Sequence, residues 1–270
     1  MAELPRHIRC VTLNTAKNDR IYAARLGLCI AQLRALNPDV VLLQESFRTR
    51  DGEVDTARTL ALSLGLNFVY APARTKPRRW LGHEVESQSG HAILVRGRIQ
   101  DAEWLSLPSD EVGGERVALL ACADLASGAS LMAASIHLSH IRGDETRRRE
   151  QLNTVLNHPW WKRPGLLRLL GGDANTTLEA PALSWLVDHP SLAVRSVRSA
   201  DSLSTTFPNP RELGRAGRTI DHLFTVTAPD EPIPRVEASG IALDQPTDGV
   251  WPSDHAAVWA DLVAPVEVTP

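Results

Sequence analysis

Apolar runs that end on a polar residue recur along this chain, and their spacing predicts most of its elements. Residues 8–14 read as a strand closing on Asn14. Tyr22, Leu26, Cys29, Ile30 and Leu33 recur at helical spacing and predict a helix over 20–36, with Asn18 and Asp19 as N-caps and Asn37-Pro38 as its stop. Residues 39–45 are too apolar for a strand with a wet face, so a fully buried strand is expected to deliver Gln44-Glu45. A helix over 53–64, closed by Gly65, comes next. Residues 71–89 show no periodicity and predict a long loop, a feature often functional in compact folds.

From Gly90 onward strands dominate, at 91–95, 117–123 and 131–138, with turns at Gly113-Gly114 and Ser127-Gly128. A helix over 144–157, a buried strand over 166–170 and a short helix over 181–189 follow. A Pro/Gly-rich loop over 202–218 then leads to strands at 219–226, 235–241 and 255–262. Strands with interleaved helices predict an α/β fold of two packed sheets with helices outside. No repeat or linker divides the chain, so residues 1–270 are expected to form a single domain.

Composition narrows the setting. Hydrophobic residues make up 43% and charged residues 23%, ordinary globular values. No 18-residue apolar run predicts a membrane span, and the N-terminal residues lack the apolar stretch of a signal peptide. Cys10, Cys29 and Cys122 are odd in number and widely spaced, which predicts free thiols in a reducing, cytoplasmic setting. A net charge of −3 argues against a protein that grips long nucleic acid by global basic bias. Local clusters remain: Arg74, Lys76, Arg78 and Arg79, beside Trp80, and then Arg211, Arg215 and Arg218. Each is either a solvated surface or a loop presenting cations to an anionic substrate of modest size.

The polar strand ends carry the chemistry. Glu45 either pairs with an arginine at a sheet edge or ligates a hard metal through oxygen, with Asn14 supplying an amide nearby. Gly171-Gly172-Asp173-Ala174-Asn175 follows a buried run, so Asp173 and Asn175 either form an Asx turn or share one face, to activate and hold a water. His137 ends another strand, and His255 follows Ser253-Asp254, with Asp221 available to orient an imidazole. His222 should point to the opposite face from Asp221. His140 and Arg142 lie just beyond His137 and are candidate substrate contacts. A Gly-x-Ser-x-Gly elbow, a P-loop, a dinucleotide glycine fingerprint and a clustered zinc-histidine motif are all absent.

The ordered set Asn14, Gln44-Glu45, Ser135-Ile136-His137, Gly172-Asp173-Ala174-Asn175, Ile220-Asp221-His222 and Ser253-Asp254-His255 resembles the endonuclease/exonuclease/phosphatase superfamily. The resemblance implies a four-layer α/β sandwich with the site at one end of the sheets. It also implies Mg²⁺- or Mn²⁺-dependent attack of water on a phosphoester. Under it, Glu45, Asn14 and Asp254 would serve the metal. Asp173, Asn175, His137, Asp221 and His255 would serve catalysis, and His140 and Arg142 would contact substrate. The further candidate substrate contacts, Arg74, Lys76, Arg78 and Arg79, rest on their local charge. His137, where other branches carry tyrosine, is similar to the DNase I, sphingomyelinase and tyrosyl-DNA phosphodiesterase branches. The acidic balance favours a small or lipid-like phosphate ester, with a nuclease or DNA-end phosphodiesterase as the alternative and a silent binding protein as a remote one.

Overall fold

The structure is a computed structural model, described here over residues 7–198, 205–207 and 217–264. Its elements in chain order are β1 (His7–Asn14), α1 (Tyr22–Leu36), β2 (Val40–Thr49), α2 (Thr56–Leu64), β3 (Asn67–Trp80), β4 (His83–Val95), β5 (Gly97–Leu107), β6 (Arg116–Leu125) and β7 (Ser130–His137). There follow α3 (Glu145–Leu156), a 3₁₀ turn at Pro159–Lys162, β8 (Leu167–Asp173), α4 (Pro181–Val187), β9 (Ala193–Ser196), β10 (Asp221–Thr227), β11 (Arg235–Ala242) and β12 (Ala257–Val263).

Two six-stranded sheets result, ordered β11-β12-β1-β2-β4-β3 and β5-β6-β7-β8-β10-β9. Each is mixed. The β1/β2 pair and the β7/β8 pair run parallel, and the other neighbours run antiparallel. The central strands are apolar on both faces, which is why they read as continuous runs. One set of alternate residues, including Ile8, Cys10, Val40, Leu42, Leu131, Ala133, Leu167 and Leu169, fills the space between the sheets. The other set packs outward. Val11, Leu13, Val41 and Leu43 meet α1 and α2, while Met132, Ala134, Leu170 and Phe224 meet α3, α4 and Trp161. That is the expected four-layer sandwich. Among the described residues no helix is long and apolar enough to cross a membrane.

Several expectations are corrected. Residues 71–89 are no loop: they form the outer half of the β3/β4 hairpin, paired from Asn67↔Val95 to Trp80↔His83. That half has no apolar face to bury, so it carries no alternation for a pattern reading to find. The edge strands β5 and β9 were missed for a related reason: β5 is exposed along most of its length, and β9 spans only four residues. Helix α1 starts at Tyr22 with Ile21 before it and no side-chain cap, so Asn18 and Asp19 do not cap it. Of the loop over 202–218, residues 202–204 and 208–216 lie outside the described residues, and with them Arg211 and Arg215.

Gly172 is where the backbone demands glycine. Its φ is +147°, and an added Cβ would stand 1.9 Å from the Ile136 carbonyl oxygen on the parallel neighbour. Gly27, within α1, has nothing within 4 Å of an added Cβ. Gly172→Ala should therefore lose more than about 2 kcal/mol of unfolding free energy. Gly27→Ala should be neutral or gain up to about 1 kcal/mol from helix propensity. Urea denaturation of both variants checks this, and a Gly172→Ala protein as stable as the parent refutes the close approach.

Candidate active site

The inter-sheet core does not run to the end of the sandwich. Beyond its last apolar layer, the same inward alternation continues in polar residues: Asn14 after Thr12, Gln44 after Leu42, His137 after Ser135, Asp173 after Leu169 and Gly171, and Asp221 before Leu223. The carboxyl ends of the two parallel pairs face one edge, and the antiparallel β10 and β12 begin there. β1, β7, β8 and β10 deliver terminal residues to this place, β2 delivers Gln44 and Glu45 from its middle, and the loop before β12 delivers His255.

A buried polar layer separates site from core. Gln44 donates to Ser135 Oγ at 3.1 Å and to Thr12 Oγ1 at 3.1 Å, and Ser135 Oγ donates to the Leu43 carbonyl at 3.1 Å. His91 Nδ1 lies 3.0 Å from Ser135 Oγ. Burial, with help from Arg116, pulls the His91 pKa down to about 3, so its ring is neutral. This layer stitches one sheet to the other directly under the cavity.

Glu45 reaches the cavity through a β-bulge. Leu43 pairs with Ala92 and Ser46 with Gly90, so Gln44 and Glu45 together oppose His91, and Glu45 takes a φ of +52°. A second register shift lies beside it, between Pro72 and Arg74. Gly90 separates the two, and a Cβ there would stand 2.0 Å from the Ala71 carbonyl oxygen. Ala73, Arg74, Ser89, Gly90 and His91 then line the cavity wall.

The cavity holds about 300 Å³ and is lined by Asn14, Glu45, His137, Asp173, Asn175, Asp254 and His255, together with Arg74 and His140. Asp221 lies just beneath it. Asp173 sits at the centre. Its carboxylate accepts from Asn14 Nδ2 at 3.1 Å and from the Asn175 backbone N–H at 2.9 Å. His137 Nε2 is 3.4 Å and His255 Nε2 3.8 Å from Asp173 Oδ2. On the far side of its ring, His255 Nδ1 contacts Asp221 Oδ2 at 2.9 Å. Asn175, at φ +54°, donates its amide to the Leu138 carbonyl at 3.1 Å.

Electrostatics give the histidines different states. Burial alone would lower the His255 pKa, but Asp221, with Asp173 and Asp254, outweighs it and pushes the value up to about 10. His137 is buried without such a partner, and burial with Arg116 holds its pKa well below the usual value. Its approach to Asp173 is therefore a neutral contact and no ion pair. Burial and then the Asp221 charge push Asp173 up to about 7, against the pull of His255, the Asn175 N–H and the Asn14 amide. Asp173, Asp221 and His255 place ligand-type atoms within 4.8 Å of one another. A protonated ring offers a metal no lone pair, so this trio suits proton and phosphate handling better than metal binding.

The remaining candidates separate. Lys76, Arg79 and Arg142 do not line the cavity. Arg78 is buried in the hairpin, donating to Ser87 Oγ at 3.0 Å and Ser89 Oγ at 2.7 Å, so its place in a substrate-gripping loop is corrected. Trp80 is not a free stacking platform: it packs on Tyr22 and Phe47, with ring centroids 5.0 and 5.6 Å away. His222 faces away, as alternation requires, and meets the Thr176 carbonyl at 2.9 Å.

Four contributors escaped the sequence reading. Arg116 and Lys17 line the cavity, and Lys17 Nζ lies 2.7 Å from Glu45 Oε1. Phe207 lies against the His255 ring at 4.5 Å. Buried Arg25 donates to the carbonyls of Thr15, Ala16, Lys17, Asp19 and Pro252, fixing the loop that follows Asn14. The left-handed Ala16 and Lys17 lie in that loop. Arg116 and Lys17 lie outside the basic runs that advertised cations in the sequence, and Arg25, inside a helix, gave no signal at all.

A model of the Endonuclease/Exonuclease/phosphatase family matches residues 11–255, and the chain belongs to that family. It is a phosphoester hydrolase built on a DNase I-like α/β sandwich. Among solved structures it is similar to D. rerio TDP2 humanized by 14 mutations, at 18% identity and TM-score 0.73, covering 96% of this chain and 100% of that one. D. rerio TDP2 complexed with single strand DNA product gives 18% identity and TM-score 0.72, covering 96% of this chain and 99% of that one. An endonuclease/exonuclease/phosphatase from Beutenbergia cavernae gives 24% identity and TM-score 0.71, covering 96% and 72% respectively. No curated protein sequence matches the chain.

The Asp221–His255 pair sets a pH signature. The folded value near 10 lies above the ordinary 6.5, so the pair's stabilising contribution is complete below pH 6.5 and fades as pH rises through about 10. In histidine NMR spectra His255 should stay protonated from pH 6 to 8. In Asp221→Asn burial regains the upper hand and the midpoint should fall by more than about two units. A His255 midpoint near 6.5 in the parent protein would falsify the assignment.

Proposed function

We propose that this chain is a divalent-metal-dependent phosphodiesterase acting at the ends of nucleic-acid strands. The observation that carries the phosphodiesterase reading is the pairing of a carboxyl titrating near 7, Asp173, with a protonated imidazole, His255, 3.8 Å apart on the cavity floor. A base is most effective when its pKa lies near the working pH. A buried cation beside it can hold the phosphoryl oxygen where charge develops.

In this reading Asp173 takes the proton of the attacking water. Asn175 and Asn14 hold Asp173 and that water in line. His255, oriented by Asp221, binds a non-bridging oxygen as an imidazolium. His137, neutral, donates a second hydrogen bond to the phosphoryl group. Glu45 and Asp254 supply hard oxygen donors of the kind Mg²⁺ and Mn²⁺ prefer. Lys17 supports the fit, since a unit positive charge already stands 2.7 Å from the Glu45 carboxylate. Asn14 takes a modified part: its oxygen accepts from the Ala16 N–H at 3.0 Å and its amide holds Asp173, so it is chiefly an orienting group. When bound, the divalent ion would neutralise phosphoryl charge.

The substrate preference departs from the small or lipid-like ester that the net charge suggested. One of the similar structures is described as complexed with single strand DNA product. The cavity is also an open trough whose lining mixes Arg74, Arg116 and Lys17 with the carboxylates. A strand end needs only a few phosphate contacts, which an overall charge of −3 does not forbid.

The substrate class is tested with Mg²⁺ and a panel of 5′-phosphotyrosyl oligonucleotide, single-stranded DNA, plasmid, sphingomyelin and inositol phosphates. Turnover should be highest on an oligonucleotide end. Preferential turnover of sphingomyelin or an inositol phosphate reverses the choice.

The roles are tested by substitution. Glu45→Gln should weaken Mg²⁺ binding in calorimetry by at least about tenfold, because a carboxamide brings no charge to a hard cation. Asp173→Asn should bind metal normally and lose about 10²–10⁴ in kcat. Unchanged affinity in the first variant, or near-normal turnover in the second, removes that residue from its role.

A further inference from the structure

The cavity wall carries two guanidinium groups that the catalytic arrangement does not use. Arg116 opens β6 and is largely buried. Its Nη2 donates to His140 Nδ1 at 2.7 Å, and its buried Nε has no hydrogen-bond partner. Arg74, placed by the bulge in β3, forms no hydrogen bond or ion pair among the described residues. Asp19, Glu45, Glu115, Asp173 and Asp254 line the same cavity, yet none is paired with either arginine. The two carboxylates deepest in the site are engaged elsewhere: Glu45 with Lys17, and Asp173 with the histidines and Asn14.

Holding a guanidinium in a buried wall with an unanswered N–H is costly, and the protein has arranged for it. Gly114, at φ +66°, leaves the space in which the Arg74 guanidinium rests: an added Cβ would stand 1.4 Å from its Nη2. His140 is held in the form that can accept from Arg116, because burial and the two nearby arginines lower its pKa. A solvated surface arginine needs neither device. Two directed cations beside a phosphate site, neither bonded to a carboxylate, fit a second anion, and guanidinium forks match phosphate oxygens in pairs.

We propose that Arg74 and Arg116, with His140 holding Arg116 in place, form a second anion subsite that binds a non-reacting phosphate of the substrate. Resting on the phosphodiesterase reading above, this narrows the substrate to one carrying at least two phosphates, as a nucleic-acid strand does. It excludes a single phosphodiester bearing a quaternary ammonium, because the cations that attract a second phosphate repel that group. Arg74 and Arg116 are binding residues in this account, and His140 and Gly114 are positioning residues.

The experiment is calorimetric and needs no turnover, so its outcome is separable from that of the activity panel. Thymidine 3′,5′-bisphosphate and thymidine 5′-phosphate are titrated into the full chain, with inorganic phosphate and phosphocholine as a second pair. The bisphosphate should bind about tenfold or more tighter than the monophosphate, the scale of one charge-assisted contact. Arg116→Gln and Arg74→Met should each bring that ratio towards one, while Arg116→Lys should keep part of it. Gly114→Ala, which removes no charge, should reproduce Arg74→Met. Circular dichroism confirms that each variant is folded, and the conservative Arg116→Lys serves if Arg116→Gln is not. Equal binding of the two nucleotides by the parent protein overturns the proposal, as does a ratio that survives both arginine substitutions. Phosphocholine binding as tightly as inorganic phosphate overturns the exclusion of the choline headgroup. A ratio that depends on the arginines without cleavage of any strand end leaves the subsite standing and removes the proposed substrate instead.

Discussion

Two carboxylates face each other across neighbouring strands, Asp173 on β8 and Asp221 on β10, in direct register and almost wholly buried. Left alone, such a pair is strongly unfavourable. Both cannot ionise in a low-dielectric layer without a cation between them. His255 is that cation, and it arrives on the loop before β12 of the other sheet. The two sheets must therefore dock in one relative position for the charges to balance. The alignment of the sandwich and the state of its active site are set by the same contact.

Around that contact the backbone is bent on purpose. The bulge in β2 turns Glu45 out of the strand's alternation, and the shift in β3 re-aims Arg74 from the hairpin towards the cavity. Left-handed residues gather here as well: Ala16, Lys17, Glu45 and Asn175. Such conformations persist only where neighbours enforce them. Arg25 does so for the loop after Asn14, and the Gln44–Ser135 layer does so for the bulge. The regular sandwich thus supplies the rigidity that its irregular edge spends on function.

The resulting cavity divides its charge. Carboxylates and amides gather around Asp173 and Glu45, where a hard cation and a water would be handled. Two arginines stand in the wall without acidic partners. A net charge near neutrality conceals this division, because the opposite charges cancel in the sum although the two arginines bond to none of the carboxylates. That is how an acidic chain can still be built to receive a multiply charged anion.

The sequence by itself determined the layers and most of the polar residues that gather at the cavity. Apolar runs such as those leading to Gln44 and Asp173 must be buried, and a polar residue at the end of each must find a partner, so the buried strands and the candidate site residues were legible in the order of residues along the chain. Asn14, Glu45, His137, Asp173, Asn175, Asp254 and His255 all reach the cavity, with Asp221 just beneath it. The β3/β4 hairpin, the burial of Arg78 and the parts taken by Arg25, Lys17, Arg116 and Phe207 were decided only by tertiary structure. A strand with no buried face has no periodicity. An arginine's surroundings are built from residues far away in the chain: Arg25 meets Pro252, and Arg116 meets His140. Local pattern records what a segment must hide, whereas partnership between distant charges exists only once the sheets have closed.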